Sequence, residues 1–192
     1  MNCWGGQSKM NKNVPNILTI ARIIMVPFVI LFYYLQIPHW NLYAAVIFIA
    51  ASLTDMLDGM IARKYNLVSN FGKLMDPMAD KVLFMAALIL VLDWGKLGKF
   101  GPVVVILLLA REFLISGVRL IAAAEGVVIP AGKVGKWKTV FQLIGISMIL
   151  LENPIFSAWN IPLGEILVYL STILSVWSCI EYIYHSRDLL KG

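Results

Sequence analysis

Six long apolar runs, separated by short polar intervals, constrain the fold of this chain more than any other feature of its sequence. Of its 192 residues, 60% are hydrophobic and 14% are charged, and the mean hydropathy is +0.81. A helix needs about 20 apolar residues to cross the hydrocarbon core of a bilayer. We therefore expect an all-α integral membrane protein with six transmembrane helices, near residues 17–37, 41–62, 75–94, 101–124, 137–152 and 163–184.

The third and fifth runs are too short to span a bilayer unless the polar residues beside them are helical as well. The length of the chain suits one domain. We assign residues 1–15 to a short N-terminal segment, 16–186 to the six-helix transmembrane domain, and 187–192 to a C-terminal tail.

The basic residues predict an orientation in the cytoplasmic membrane. With six spans both termini lie on one side, and all of the 16 Lys and Arg residues except Lys96 and Lys99 fall on that side. Cytoplasmic loops are enriched in Lys and Arg, so both termini are expected to face the cytoplasm. The net charge of +5 then reflects topology and anionic lipid, and no nucleic-acid partner is expected.

Four aspartates follow a fixed spacing in the middle of the chain, although carboxylates are costly among membrane-apolar residues. Four of the chain's 11 acidic residues fall between positions 55 and 80. In a helix, residues spaced by three or four positions lie on one face. The pattern is Asp55-x-x-Asp58-Gly59-x-x-Ala62-Arg63, then eight residues, then Gly72-x-x-x-Asp76-x-x-x-Asp80.

Two helical faces with two carboxylates each predict a site for two divalent cations. Mg²⁺ prefers carboxylate oxygens and is commonly shared with substrate phosphates, and Mn²⁺ could replace it. No His or Cys accompanies the four aspartates, which argues against zinc. A structural alternative is that Asp76 caps a helix beginning at Pro77 and that other aspartates form ion pairs. Gly59 and Gly72 could admit a nucleotide or pack helices closely.

A second group of charged residues lies on the same predicted side of the membrane. Arg111, Glu112, Ser116 and Arg119 share one face of the fourth span, and Lys133, Lys136 and Lys138 lie at the start of the fifth. Arg111 and Glu112 are adjacent and so point differently, and we do not expect them to neutralise each other. Two interpretations remain: topology signals, or a pocket for a phosphorylated acceptor at a helix N-terminus.

Residues 55–80 match the signature of the CDP-alcohol phosphatidyltransferases, D-x2-D-G-x2-A-R-x8-G-x3-D-x3-D. The segments 15–22, 110–113 and 135–139 resemble the bacterial phosphatidylglycerophosphate synthases within that family. The resemblance implies the CDP-alcohol phosphotransferase fold and transfer of a phosphatidyl group from CDP-diacylglycerol to sn-glycerol 3-phosphate, with CMP released.

The resemblance also implies roles for individual residues. Asp80 would be the catalytic base and a metal ligand with Asp55, Asp58 and Asp76. The depth of Arg111 in its span favours the pocket interpretation of the second charged group, in which Arg111, Arg119, Lys133, Lys136 and Lys138 would bind glycerol 3-phosphate. The family forms homodimers, so a homodimer in membrane lipid is expected. The residues expected to contact CDP-diacylglycerol are Asn16, Thr19, Gly59, Ala62, Arg63, Ser69 and Gly72.

Three alternatives are weighed against this interpretation. Within the family the acceptor could differ, for example inositol phosphate. Intramembrane aromatic prenyltransferases also bind a diphosphate through Asp and Mg²⁺, but with two separated motifs on more spans. A divalent-cation transporter would place ligands near the bilayer midplane and often shows internal repeats. Here the aspartates lie near one interface and no repeat is visible.

Overall fold

A computed structural model describes residues 14–35, 37–65, 70–124, 133–153 and 161–186. Within these ranges it does not describe the side chains of residues 14–19, 55–65, 70–77, 80, 123–124, 133 and 185–186. The described residues form six helices and no strands, which confirms the all-helical fold class. The helices are α1 (Val14–Leu35), α2 (Trp40–Tyr65), α3 (Asn70–Asp93), α4 (Gly101–Ala124), α5 (Lys133–Leu150) and α6 (Leu163–Ser186).

The helix bounds follow the predicted runs closely, with two informative extensions. α3 begins at Asn70 and α5 at Lys133, so the polar residues that precede both apolar runs are helical. The structural alternative in which Asp76 caps a helix starting at Pro77 is therefore wrong, because α3 begins six residues before Asp76. Extending an existing helix by a turn costs less than starting a new one, and α3 continues past Pro77 despite the missing N–H donor.

Short connections set the packing of the first four helices. Residues 36–39 join α1 to α2, and residues 94–100 join α3 to α4, so each pair is antiparallel. The second connection turns at Gly95 and Gly98, whose φ angles of 75° and 60° lie in the left-handed region that glycine tolerates. α1 packs against α2 and α3, α3 against α4 and α5, and α6 against α4 and α5.

Aromatic side chains close one end of the bundle, which we call the aromatic end (Tyr33, Trp40 and Trp94). The Tyr33 hydroxyl donates to Asp93 Oδ2 at 2.7 Å, and the Tyr33 and Trp40 rings meet edge to face with centroids 4.9 Å apart. Trp40 and Trp94 make a similar contact at 4.8 Å. These contacts fix α1, α2 and α3 at a common level.

α5 and α6 approach each other through glycine. A Cβ added at Gly145 would lie 2.9 Å from the Gly164 carbonyl oxygen, and one at Gly164 would lie 2.9 Å from the Gly145 carbonyl oxygen. Small residues at a crossing let helix backbones pack closely, as is common in membrane bundles. The apolar core lies between the helices and includes Val29, Phe48, Leu88, Leu108, Ile146 and Val168.

One described helical segment, Leu163–Tyr184, is long and apolar enough to cross a membrane by length and composition, with a mean hydropathy of 1.7. Two shorter apolar segments, Ile20–Leu35 and Trp40–Thr54, fall below that length within the described residues.

Candidate active site

The two helices that carry the aspartates meet at the end of the bundle opposite the aromatic end. α2 ends at Tyr65 and α3 begins at Asn70, so the last turns of α2 and the first turns of α3 lie at the same end. Asp55 and Asp58 belong to about the last three turns of α2, and Asp76 and Asp80 to about the first three turns of α3. α2 and α3 also pack against each other. The fold therefore places all four positions at one end of two adjoining helices.

The side chains of these four aspartates lie outside the described residues, so the predicted metal site stays a prediction. Its donor set consists of carboxylates only, which is the chemistry that Mg²⁺ and Mn²⁺ prefer. Among the side chains that the structure does describe, no other group of three or more His, Cys, Asp or Glu residues could hold a metal.

A polar network joins four helices next to this region, and we call it the charge cluster. Glu112 Oε1 accepts from Arg111 Nη1 at 3.2 Å and also pairs with Lys138 Nζ. Arg111 Nη2 donates to Ser178 Oγ at 3.2 Å. α4, α5 and α6 are thereby linked through charged groups. The members of the charge cluster are Lys81, Arg111, Glu112, Ser116, Lys138 and Ser178.

Lys81 connects the charge cluster to the aspartate motif. It directly follows Asp80 in α3, and its Nζ donates to Ser116 Oγ on α4. The Ser116 hydroxyl in turn donates to the Glu112 carbonyl oxygen at 2.5 Å, one turn earlier in α4. The charge cluster therefore begins one residue from the last aspartate of the motif.

The charge cluster carries more positive than negative charge in a buried setting. Its charged members are Lys81, Arg111 and Lys138 against the single carboxylate of Glu112. Lys138 is 3% exposed, and only 10% of the Arg111 side chain is exposed. Burying unbalanced charge costs several kcal/mol per ion, so such groups are retained mainly where they act on a ligand. The excess of cations suits an anion.

The adjacent residues Arg111 and Glu112 form an ion pair, contrary to our expectation from their neighbouring positions in α4. The arginine side chain is long enough to cross the angle between successive helix positions and reach Glu112. Arg111 Nε stays buried and has no hydrogen-bond partner among the described residues. A donor remains there that a ligand or water could use.

Gly135, in the first turn of α5, lies against Arg111. A Cβ at Gly135 would come within 3.6 Å of Arg111 Nη2 and 3.7 Å of Ser178 Oγ. The first turn of a helix has unpaired N–H groups and the positive end of the helix dipole. The Arg111 guanidinium and the N-terminus of α5 thus contribute positive potential to the same small region.

The five predicted acceptor-binding residues do not all converge. Arg111 and Lys138 meet in the charge cluster. Arg119 lies two turns further along α4, about 12 Å away along the helix axis, and its guanidinium stacks on the Tyr182 ring at 5.6 Å from the ring centroid. Lys136 carries no ion pair among the described residues and is exposed. Lys133 is the first residue of α5, and its side chain lies outside the described residues.

For the residues predicted to contact CDP-diacylglycerol, the structure gives at most the helix on which each one lies. Asn16 and Thr19 lie in the first turns of α1, and their side chains are not described. Ser69 lies in the interval 66–69, outside the described residues. The remaining positions, Gly59, Ala62 and Arg63 in α2 and Gly72 in α3, fall in the same stretch of helix as the aspartates.

Two residues that the sequence pattern does not single out, Lys81 and Ser178, belong to the charge cluster, and a third, Arg22, is unusually buried. From the sequence, Lys81 is expected to set topology or, in the structural alternative, to pair with Asp55 or Asp58, although its position directly after Asp80 is a signal for a role in the site. Ser178 belongs to a set of buried hydroxyl residues in α6, with Ser171 and Ser175, at spacings that place them on one helix face. Arg22 in α1 is 2% exposed, which is unusual for arginine.

Comparison with known proteins identifies the family of this chain. Residues 12–177 match the family described as CDP-alcohol phosphatidyltransferase. Relatives named CDP-diacylglycerol–glycerol-3-phosphate 3-phosphatidyltransferase include one from Rickettsia bellii, 39% identical over 91% of this chain and 95% of its own length. Another from Bacillus subtilis is 37% identical over 93% of this chain and 97% of its own length.

A solved structure shows the same fold. The apo crystal structure of Mycobacterium tuberculosis phosphatidylinositol phosphate synthase aligns with a TM-score of 0.63 and 20% sequence identity, over 93% of this chain and 90% of that chain. The predicted phosphotransferase fold is thus supported by a structural neighbour as well as by the helix order. The match over residues 12–177 and the relatives at more than 30% identity show that this chain belongs to the CDP-alcohol phosphatidyltransferase family.

Proposed function

We propose that this chain transfers a phosphatidyl group from CDP-diacylglycerol to sn-glycerol 3-phosphate, forming phosphatidylglycerophosphate and CMP. The observation that carries the proposal is the family match over residues 12–177 together with several relatives, 34–39% identical over most of the chain, that are named for this reaction. Membership of a transferase family favours this reaction over cation transport and over prenyl transfer.

The charge cluster supports a phosphorylated acceptor. A glycerol 3-phosphate dianion would find Arg111, Lys138 and Lys81 on three helices, with the Arg111 Nε–H available as a further donor. Hydrogen bonds between charged groups contribute about 1.5–3 kcal/mol each. An unphosphorylated alcohol would bring no charge to balance Arg111 and Lys138, so we expect glycerol and serine to be poor acceptors.

The aspartate motif would bind the nucleotide end of the lipid substrate. Asp55, Asp58, Asp76 and Asp80 are the residues that would hold two Mg²⁺ ions, with Mn²⁺ as a substitute. When bound, the ions would neutralise the diphosphate and stabilise the departing CMP. Asn16, Thr19, Gly59, Ala62, Arg63, Ser69 and Gly72 would line the CDP group around them.

Asp80 would act as the base for the acceptor. Its carboxylate accepts the proton from the free primary hydroxyl of glycerol 3-phosphate, and that oxygen bonds to the lipid-side phosphorus. The bond from this phosphorus to the bridging oxygen breaks, and CMP leaves with the electron pair. Lys81, one residue after Asp80, reaches the charge cluster and so ties the base to the acceptor's phosphate site.

All six helices would span the cytoplasmic membrane, with both termini and the active site on the cytoplasmic side. Large apolar side chains are exposed along every helix, for example Phe28, Val46, Ile89, Ile106, Ile144 and Ile173, and these would contact lipid. Some of the charges that lower the hydropathy of α3, α4 and α5 have partners inside the bundle: Glu112 pairs with Arg111 and Lys138, and Lys81 donates to Ser116. A homodimer is proposed from the family resemblance.

An acceptor panel tests the choice of substrate. The purified protein is given CDP-diacylglycerol labelled in the cytidine, with Mg²⁺ and one of four acceptors: glycerol 3-phosphate, inositol phosphate, glycerol or serine. We expect CMP release with glycerol 3-phosphate at least about tenfold above each other acceptor, a preference of about 1.4 kcal/mol. Faster release with inositol phosphate would move the proposal to another acceptor within the family.

A further inference from the structure

Glu112 is the one acidic member of the charge cluster. Among the described residues, it supplies the only carboxylate that pairs with Arg111 and Lys138, and a single oxygen, Oε1, serves both. The two cations come from different helices, α4 and α5. Glu112 therefore sets where the two positive groups lie relative to each other.

Lys138 depends on this contact more than Arg111 does. Lys138 is 3% exposed and makes no other hydrogen bond or ion pair among the described residues. Arg111 keeps a second partner, Ser178, through Nη2. Without the negative charge of Glu112, a buried ammonium would face a guanidinium with nothing between them, and it would turn away or lose its proton.

We propose that Glu112 is a positioning residue for the acceptor, holding Lys138 charged and directed, together with Arg111, toward the phosphate of glycerol 3-phosphate. The inference rests on the proposed function, because it takes that phosphate as the ligand of the charge cluster. Glu112 itself does not touch the acceptor's phosphate, since two anions would repel each other.

Two rival roles make different predictions. If Glu112 only tethers α4 to α5, its loss lowers thermal stability and affects both substrates alike. If Glu112 competes with the phosphate for the two cations, its loss lowers the KM for the acceptor. A positioning role raises the acceptor KM and leaves the lipid KM nearly unchanged, because the two substrates meet different residues.

The test compares the full-length Glu112→Gln and Glu112→Asp variants with the wild type, in detergent with Mg²⁺. Glu165→Gln is the matched control: Glu165 also accepts from a side chain, Asn153 Nδ2 at 3.1 Å, but lies in the first turn of α6, away from the cluster. We expect Glu112→Gln to raise the KM for glycerol 3-phosphate about tenfold or more, the size of one lost charge-assisted contact, with the KM for CDP-diacylglycerol within about twofold.

Glu112→Asp keeps the charge but holds it one methylene further from the cations, so this variant should give an intermediate KM for glycerol 3-phosphate. Combining Glu112→Gln with Lys138→Met should raise the acceptor KM by clearly less than the product of the two single effects, because the first residue acts through the second. The inference would be overturned if the two single effects multiply in the double variant, or if Glu112→Gln leaves the acceptor KM unchanged. It would also be overturned if Glu165→Gln shifts the acceptor KM in the same way.

The outcome separates this inference from the proposed function. If the wild type releases CMP only with a different acceptor, the proposed function fails, and the same variants are then compared with that acceptor. Protection of the wild type and of Glu112→Gln against heat by glycerol 3-phosphate is measured as well, since it requires no turnover. We expect the wild type to be protected and the variant to lose most of that protection, and equal protection would contradict the positioning role.

Discussion

Replacing Asp55 or Asp58 by asparagine removes one charge and leaves the side chain almost the same size. If both carboxylates bind metal, each variant should fall below about a tenth of the wild-type rate of CMP release, a loss of more than about 1.4 kcal/mol in transition-state stabilisation. Asp93→Asn is the matched control, because Asp93 accepts from Tyr33 at the aromatic end. The control should keep its activity within about twofold, and a comparable loss in Asp93→Asn would point to folding rather than metal binding.

Arg111 offers a test of hydrogen-bond geometry as distinct from charge. It bonds two partners on different helices at once, Glu112 through Nη1 and Ser178 through Nη2, which a single ammonium cannot reproduce. Arg111→Ala should raise the KM for glycerol 3-phosphate about tenfold or more, and Arg111→Lys should recover only part of that loss.

Arg119 gives the comparison within the same helix. It stacks on Tyr182 and lies two turns from Arg111 along α4, so Arg119→Ala should raise the acceptor KM less than Arg111→Ala does. Steady-state kinetics with each substrate varied in turn measures both effects. If Arg119→Ala has the larger effect, the acceptor's phosphate lies nearer to Arg119 than to Arg111.

At the scale of the helices, the crossing of α5 and α6 limits what the bundle tolerates. A Cβ at Gly145 would lie 2.9 Å from the Gly164 carbonyl oxygen and 3.1 Å from the Val168 backbone nitrogen, and backbone atoms cannot rotate away. Gly145→Ala should therefore destabilise the protein by about 1–3 kcal/mol, the usual cost of overpacking. Its control is Gly117→Ala in α4, where nothing lies within 4 Å and where alanine favours the helix by about 1 kcal/mol.

Thermal unfolding of the two glycine variants in the same detergent measures this difference. We expect a lower melting temperature for Gly145→Ala and an unchanged or higher one for Gly117→Ala. If the two variants melt alike, the close approach of α5 and α6 does not limit stability.

The helices were predictable from the sequence because apolar runs of bilayer length leave few alternatives, and α4 begins and ends where expected. The early starts of α3 and α5 were less predictable, since their first turns are polar and gain stability from packing that a local pattern does not reveal. Contacts in the candidate site that depend on helix packing were likewise not predictable from a local pattern. Arg111 and Lys138 were identified by charge and position, whereas Ser178 and the ion pair between Arg111 and Glu112 depend on how four helices meet.

At the scale of the whole molecule, the exposed apolar side chains, the paired cations and the aspartate-bearing turns lie in different parts of the bundle. Exposed apolar side chains lie along all six helices, the paired cations lie inside, and the aspartate-bearing turns of α2 and α3 lie at the end opposite Tyr33 and Trp40. This division fits an enzyme that takes one substrate from lipid and the other from water. Asp80 belongs to the aspartate motif and the next residue of α3, Lys81, belongs to the charge cluster. This adjacency would bring the two substrates together.

The proposed phosphatidyl transfer is tested most directly by following both products of the reaction. Purified protein receives CDP-diacylglycerol and glycerol 3-phosphate, and CMP and phosphatidylglycerophosphate are quantified together, with Mg²⁺, with Ca²⁺ and with EDTA. We expect equal amounts of the two products with Mg²⁺ and none of either with EDTA. With Ca²⁺ we expect little of either product, because Ca²⁺ takes more ligands at longer distances. Undiminished product in EDTA, or CMP release that does not depend on glycerol 3-phosphate, would contradict the proposed phosphatidyl transfer.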